Sequence, residues 1–317
     1  MAGVWRQPQD TWTAYWRTGQ TTSLAEGAEP SEALDQHWRE FFSELPQGAR
    51  ILDLGAGNGA VTRLAQIVAN DQGAAFEITG VDAADVGGRA RTQRDAAAPF
   101  LAGGVHIEAL PYRASSFDAV TSQFGFEYAC ELDAVRELAR VLKPGGKMRL
   151  ILHARDGAIF AAVSQRLNRL RRITIKSGLI EAILYGAAAR TASDKDGEAL
   201  ADMTIASQSD GLTSLLQDAP PKDSALFYTR GLINLWTNRD RYAPAHLFAS
   251  VSDASDRINA HRERLSAMIE TAHSPESLRV LQRLLTYSGV AASPPRAVID
   301  RNSAQIAWLM DGARHSA

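Results

Sequence analysis

Between residues 50 and 153, short aliphatic or β-branched runs alternate with longer segments whose apolar positions recur at helical spacing. Runs at 50–54, 76–81, 104–108, 117–122 and 147–153 predict strands, and segments at 59–70, 85–98 and 131–142 predict helices between them. Alternation of this kind predicts an α/β domain, a doubly wound sheet of mostly parallel strands with helices on both faces. Lys143-Pro144-Gly145-Gly146 reads as a stop after the third helix, turning the chain into the next strand. From about 155 to 272 the grammar becomes helical, with segments at 158–172, 175–191, 212–217, 222–236 and 254–272 that predict one helical insertion after the fifth strand. The end of the chain returns to strands: a helix at 274–287 stopped by Gly289, a strand near 296–300, a turn at 300–303 and a strand at 305–309. Two closing strands make the sheet seven-stranded. Ahead of the sheet lie a polar arm carrying Trp5, Trp12, Tyr15 and Trp16 and an amphipathic helix at 31–45 with Ser31 as its N-cap. The expected organisation is an arm over 1–45, a sheet domain over 46–154 and 274–317, and a helical lid over 155–273.

Composition narrows the function classes. A formal charge of −2, from 34 basic and 36 acidic side chains, argues against a polyanion as the main partner. The basic cluster Arg166, Arg169, Arg171, Arg172 and Lys176 spreads around its helix and reads as a solvated surface. The single cysteine, Cys130, excludes an intrachain disulfide and a multi-cysteine zinc site, so no metal is expected. No apolar run reaches the eighteen or so residues of a membrane span, and the N-terminus lacks a basic-then-apolar leader, so a cytoplasmic location is the expectation.

The candidate chemistry begins at Ile51-Leu52-Asp53-Leu54-Gly55-Ala56-Gly57-Asn58-Gly59. Three glycines at alternate positions after a strand predict left-handed backbone and a wall of exposed amides against a ligand. The spacing is neither of the two phosphate-binding patterns, and no lysine follows to hold a γ-phosphate. Asp53 puts a carboxylate where it would repel a pyrophosphate and attract a cation. Asp82, at the end of Ile78-Thr79-Gly80-Val81-Asp82, suits the hydroxyls of a ribose, with a cap for the next helix as the alternative.

With Glu108-Ala109-Leu110-Pro111-Tyr112, Ser116-Phe117-Asp118 and Arg140-Val141-Leu142-Lys143-Pro144-Gly145-Gly146, these motifs stand in an order that resembles the class I S-adenosylmethionine-dependent methyltransferases, with their Rossmann-like sheet. Ala307-Trp308-Leu309-Met310-Asp311-Gly312 resembles the last strand of that family. The resemblance implies S-adenosylmethionine as cofactor. It implies the methionine part on Asp53, Gly55, Ala56 and Gly57, the ribose on Asp82 and Ala83, the adenine near Glu108, Ala109 and Leu110, and further contacts from Ser122 and Gln123. Where family members often carry Asp, four residues before the Leu of Leu-Pro, this chain has His106.

Thr121-Ser122-Gln123-Phe124-Gly125-Phe126-Glu127-Tyr128 leaves the fourth strand at its carboxyl end, where ligands collect on an open α/β sheet. It is not the [N/D]-P-P-[Y/F] motif of nucleic-acid amino methyltransferases. Because methyl transfer is an in-line displacement, a base is needed only if the nucleophile must lose a proton. The candidate catalytic residues are His153, Glu127 and Tyr128, with a non-catalytic strand-end histidine as the alternative for His153. Tyr15, Trp16, Phe124 and Phe126 are the candidate acceptor-binding residues, and the insertion is expected to supply an apolar lid. The expected activity is methyl transfer to a small organic acceptor through O, N or C. The expected partners are that acceptor and, in a homodimer, a second copy of the chain. An RNA or protein methyltransferase and a non-catalytic cofactor-fold module are the competing readings.

Overall fold

The structure, a computed structural model, describes residues 9–20, 32–86, 99–174 and 178–316. Trp5, Ser31, Lys176 and nearly all of the helix expected at 85–98 lie outside the described residues. In chain order the elements are α1 (Gln9–Arg17), α2 (Glu32–Ser43), β1 (Arg50–Leu54), α3 (Ala60–Gln72), β2 (Glu77–Val81), β3 (Phe100–Ala102), β4 (Phe117–Gln123), α4 (Glu131–Val141), β5 (Leu142–His153), α5 (Ala158–Thr174), α6 (Leu179–Thr191), α7 (Lys195–Gln217), α8 (Ser224–Thr237), α9 (Pro244–Thr271), α10 (Pro275–Tyr287), β6 (Val290–Ala292), β7 (Arg296–Ile299) and β8 (Gln305–Arg314). They form two compact units: described residues 162–174 and 178–266 make one, and the remaining described residues make the other.

The first unit is a mixed α/β layer built on one sheet, ordered β3-β2-β1-β4-β5-β8-β6 with β7 also on β8. The five strands from β3 to β5 are parallel, and β8 runs antiparallel to β5. Alternation along the strands divides the core. Ile51, Ile78, Ala119 and Ile151 face α2 and α3, whereas Leu52, Leu54, Val81, Val120, Leu150 and Leu152 pack with α4 and α10.

Three sequence expectations need correction here. The sheet has eight strands rather than seven because its outer edge is broken: β6 pairs with the end of β8 and β7 with its start, and Ser293-Pro294-Pro295 lies between them. Proline has no N–H to give a ladder, so the edge strand splits while the sheet stays seven positions wide. The strand expected at 104–108 is instead β3 at Phe100–Ala102 followed by a short 3-10 turn at Ile107–Ala109. Lys143-Pro144-Gly145-Gly146 does not precede β5 but bulges within it. The register steps from Phe117↔Leu142 to Ala119↔Lys147, and Gly145 takes φ +74°.

Buried charge ties α2 to the sheet. Arg149 on β5 makes a two-pronged pair with Asp311 on β8 at 2.6 and 3.0 Å, donates to the His37 carbonyl of α2, and lies over the Phe41 ring at 5.0 Å.

The second unit is helical. Helix α7 is a continuous 23-residue element of which only the last six residues were expected. The basic cluster is likewise not all solvated. Arg166 is buried and Arg169 donates to the buried Asp223 at 2.5 Å, which also caps α8 by accepting from Ala225 N; among the described members of the cluster, Arg171 and Arg172 are exposed.

Candidate functional site

The site is assembled at the carboxyl ends of β1, β2, β4 and β5. After β1 the chain turns through Gly55 (φ +66°), Gly57 (φ +51°) and Gly59 (φ +83°), a backbone that side chains with a Cβ seldom adopt. Space enforces the same choice. A Cβ on Gly55 would come within 2.7 Å of Gly125 Cα, and one on Gly57 within 2.5 Å of the Trp16 ring. The turn is not, however, a wall of free amides. Ala56 N donates to Val81 O at 2.9 Å, Gly59 N to Ala56 O at 2.8 Å, and Gly57 N to Asp82 Oδ2 at 2.8 Å. Partly enclosed backbone N–H groups need partners, and these are satisfied within the fold.

What the turn leaves for a ligand is therefore carboxylate. Asp82 accepts from Gly57 N and, through Oδ1, from Ala84 N at 2.8 Å, so it braces the turn against the end of β2 while keeping acceptor capacity. Burial raises its pKa, and the two backbone donors pull the other way. Asp53 is deeper, at 2 % exposure, with Oδ1 accepting from Thr121 Oγ1 at 2.9 Å. Its pKa is pushed up to about 7, by burial first and by the neighbouring Asp82 charge, against the Thr121 hydrogen bond. A cation set against these two acids would relieve both. That donor set fits a sulfonium bearing an α-ammonium group and does not fit a phosphate.

Helix α1 lies on this turn. Asn58 Nδ2 donates to the Trp16 and Gln20 carbonyls at 2.8 and 2.7 Å, Asp85 N donates to Thr13 Oγ1 at 2.9 Å, and Arg17 pairs with Asp85 at 3.0 Å. Tyr15 and Trp16, expected at the acceptor, pack with Ala84 and Val86 beside Gly57, where those hydrogen bonds hold α1 against the turn. A file of rings leads from there. Trp16 stacks on Trp12 at 5.9 Å, Trp12 meets Tyr128 edge-on at 5.6 Å, and Tyr128 approaches His153 at 6.3 Å. Phe124, itself at φ +56°, covers the His153 ring at 4.2 Å.

His153 and Glu127 are brought together. His153 Nδ1 is 2.7 Å from Glu127 Oε1, and His153 N donates to the same oxygen at 2.9 Å. Burial alone would raise the Glu127 pKa, but the hydrogen bonds from His153 and its charge outweigh it and hold the carboxyl below its ordinary value. An ionised carboxylate only accepts, so Nδ1 carries a proton, and whenever the ring is neutral its lone pair is on Nε2. His153 Nε2 and Glu127 Oε2 are both buried and without a hydrogen-bond partner among the described residues. Such atoms call for a ligand or water. The pairing was not foreseen from sequence, although both members were.

Other expected contacts are placed differently. Phe126 is fully buried in the core with Leu54, Leu138 and Leu150, which removes it from the acceptor. Ser122 Oγ bonds Leu54 O at 2.7 Å and accepts from Phe126 N at 3.0 Å, so it shapes the loop. Glu108 accepts from Cys130 N at the start of α4, and the Leu110 amide donates to Glu137. Ala83 is half-buried beside Asp82, and Ala109 ends the 3-10 turn. Gln123 was expected here, and the signal missed was its partner: Trp38 Nε1 donates to Gln123 Oε1 at 2.6 Å across 85 residues.

A second histidine contact, in the helical unit, has the opposite polarity to a base. Arg264 Nη2 donates to His261 Nδ1 at 2.6 Å, so Nε2 bears the proton and gives it to Ser224 Oγ at 3.0 Å. Burial, with Arg264 and Arg166 nearby, pushes the His261 pKa down to about 3. Ser224 is an acceptor there and not an activated nucleophile.

Comparison with known proteins adds the chemistry of relatives. Residues 52–150 match the family model described as "Methyltransferase domain". The ubiquinone/menaquinone biosynthesis C-methyltransferase of Xanthomonas campestris pv. campestris is 33% identical over 127 residues, 38% of this chain and 50% of that protein. The demethylmenaquinone methyltransferase of Thermotoga maritima is 33% identical over 125 residues, 38% of this chain and 52% of that one. The chain thus spans about half the length of the curated relatives it matches. Among solved structures, the 1,6-didemethyltoxoflavin-N1-methyltransferase of Burkholderia thailandensis, with its acceptor and S-adenosylhomocysteine bound, aligns over 97% of this chain and 87% of its own, at 10% identity and a TM-score of 0.47. Among the described residues, no helix is long and apolar enough to cross a membrane.

Proposed function

We propose that this chain, whose residues 52–150 match the methyltransferase domain model, is a class I S-adenosylmethionine-dependent methyltransferase that moves a methyl group from that cofactor to a small organic acceptor whose nucleophile gives up a proton to His153. The observation that carries the reading is the buried Glu127–His153 pair, with Nδ1 committed to the carboxylate and Nε2 buried without a partner among the described residues. When bound, the cofactor supplies an electrophilic methyl group on a sulfonium. The protein's part is to hold the cation against Asp53 and Asp82, keep water out with the α1 aromatics, and take the acceptor's proton at Nε2 of His153.

As His153 is protonated, Glu127 stabilises the imidazolium through Nδ1 and fixes the ring against Phe124. Such a base suits a hydroxyl or an activated carbon acid. A neutral amine already offers its lone pair and gains nothing from deprotonation before transfer. The apolar rings of Phe124, Tyr128 and Trp12 favour a flat, largely apolar acceptor. The Xanthomonas relative is a C-methyltransferase of ubiquinone/menaquinone biosynthesis and the Thermotoga relative a demethylmenaquinone methyltransferase, which supports a phenolic or enolic acceptor.

Labelled methyl transfer to a panel of phenols, enols, amines and carboxylates tests the reading. Calorimetric titration with S-adenosylmethionine tests the donor site directly, since a ligand of the native state must raise its stability. We expect His153→Ala to cut turnover by about 10²-fold or more while leaving the cofactor dissociation constant unchanged. Turnover at the wild-type level in His153→Ala removes the base, and a wild-type chain showing neither heat nor thermal shift removes the activity altogether.

A further inference from the structure

The contact between Trp38 and Gln123 has a chemical direction. An indole N–H only donates, so the Gln123 atom 2.6 Å from Trp38 Nε1 is the amide oxygen, and this fixes which way the amide faces. The Nε2 group, with two N–H donors, is left with no hydrogen-bond partner among the described residues. Trp38 itself is immobilised: it is 1 % exposed, stacks on Phe42 at 5.6 Å and meets Phe41 edge-on at 6.1 Å. Gln123 is half-buried at the carboxyl end of β4. A pair of oriented donors in that position is suited to an oxygen acceptor on a ligand and offers nothing to a cation.

Asp53 supplies the complement. It stands opposite Thr121 in the β1–β4 register and accepts from the Thr121 hydroxyl. Thr121 and Gln123 are two apart on one strand and so share a face, which puts the backbones at 53 and 123 about 8 Å apart by ordinary strand spacing. An ammonium and a carboxylate on one carbon, with a hydrogen bond at each end, fill a gap of that order. Resting on the reading of this turn as an S-adenosylmethionine site, we infer that Gln123, oriented by Trp38, donates its two amide N–H groups to the α-carboxylate of the cofactor's methionine end, while Asp53 takes the α-ammonium. Gln123 contacts the ligand, and Trp38 is a positioning residue that acts through it. The arrangement selects for an intact amino-acid head group independently of the sulfonium.

The test is calorimetric titration of the full chain with S-adenosylmethionine and with its decarboxylated analogue, which keeps the sulfonium and the amine and lacks only the carboxylate. Wild type is expected to prefer S-adenosylmethionine by about tenfold or more, the range of a hydrogen bond to a charged group. Gln123→Glu keeps an acceptor for Trp38 but loses both donors, so it should abolish that preference while changing analogue affinity less than about threefold. Trp38→Phe retains the ring stack and should cause a smaller loss with the same ligand selectivity. Gln123→Met provides a second test should either variant melt early. Equal losses for both ligands, or no loss for either, overturn the head-group assignment and leave the cofactor site standing. A wild-type chain that binds neither ligand overturns both.

Discussion

Replacing Asp53 with Asn isolates the cost of the buried acid at the donor turn. The side chain keeps its size and its acceptor for Thr121 Oγ1 and loses only its charge. In the folded protein the Asp53 carboxyl titrates near 7, against an ordinary value of 3.8. Between those values the folded chain holds a proton that the unfolded chain has released, so stability falls as pH rises through the window, and the penalty is complete above the folded pKa. Integrated from the fully protonated state, the penalty is about 2 kcal/mol at pH 5 and about 4 kcal/mol at pH 8. Asn does not titrate. The stability of Asp53→Asn relative to wild type should therefore be greater at pH 8 than at pH 5 by about 2–3 kcal/mol, whatever fixed offset the substitution brings. Urea denaturation of both ligand-free proteins at the two pH values measures this, because titrations common to both chains cancel in the difference. The same protein should bind S-adenosylmethionine more weakly and lack the rise in affinity from pH 6 to pH 8 expected of wild type, since a cation favours the ionised acid. A stability gap that is equal at the two pH values, or larger at pH 5, refutes the placement of a strained carboxylate at the site.

Three further outcomes can be measured. Gly57→Ala should cost about 1–2 kcal/mol for a Cβ at positive φ and push Trp16 off the turn; tryptophan emission identical to wild type would show that Trp16 does not lie there. Asp311→Ala leaves Arg149 buried with only the His37 carbonyl and the Phe41 ring, and a loss of about 3 kcal/mol is expected in denaturant titration; a loss within experimental error counts against that tie. Ser224→Ala removes the acceptor for His261 and should lower stability by about 1–2 kcal/mol with an unchanged methyl-transfer rate. A rate that collapses in a well-folded Ser224→Ala protein would mean that the hydroxyl does chemistry after all.

What the sequence made legible was local. The glycine turn, the acids at 53 and 82 and the strands on either side are specified by residues within a few positions of one another, where periodicity and φ preference act directly. The misreadings come where distant partners decide. Phe126 looks like an acceptor contact by its place after β4, yet the hydroxyl of Ser122 fixes the loop and turns the ring into the core. Glu108 looks free for adenine until Cys130 N claims it. Arg166 and Arg169 read as solvated because nothing nearby in sequence announces Asp223. Most of helix α7 was not legible because its polar first part shows little amphipathic period. The two hydrogen bonds on which the proposed chemistry rests, Glu127 with His153 and Trp38 with Gln123, span 26 and 85 residues. No spacing rule reaches that far.

The contact of Gly55 with Gly125 bears on how such a site can change. A Cβ on either residue would meet the other's Cα within 2.8 Å, so the loop after β1 and the loop after β4 touch through bare backbone. Side chains can be compressed or exchanged, whereas two main chains in van der Waals contact have no give. On the proposed reading, the spacing between donor and acceptor is gauged by the strands themselves, and the residues around it are free to vary only outward. An effort to broaden the acceptor range would then do best at Tyr128, Trp12 and beyond. Enlarging position 55 or 125 would instead push the two strand-end loops apart.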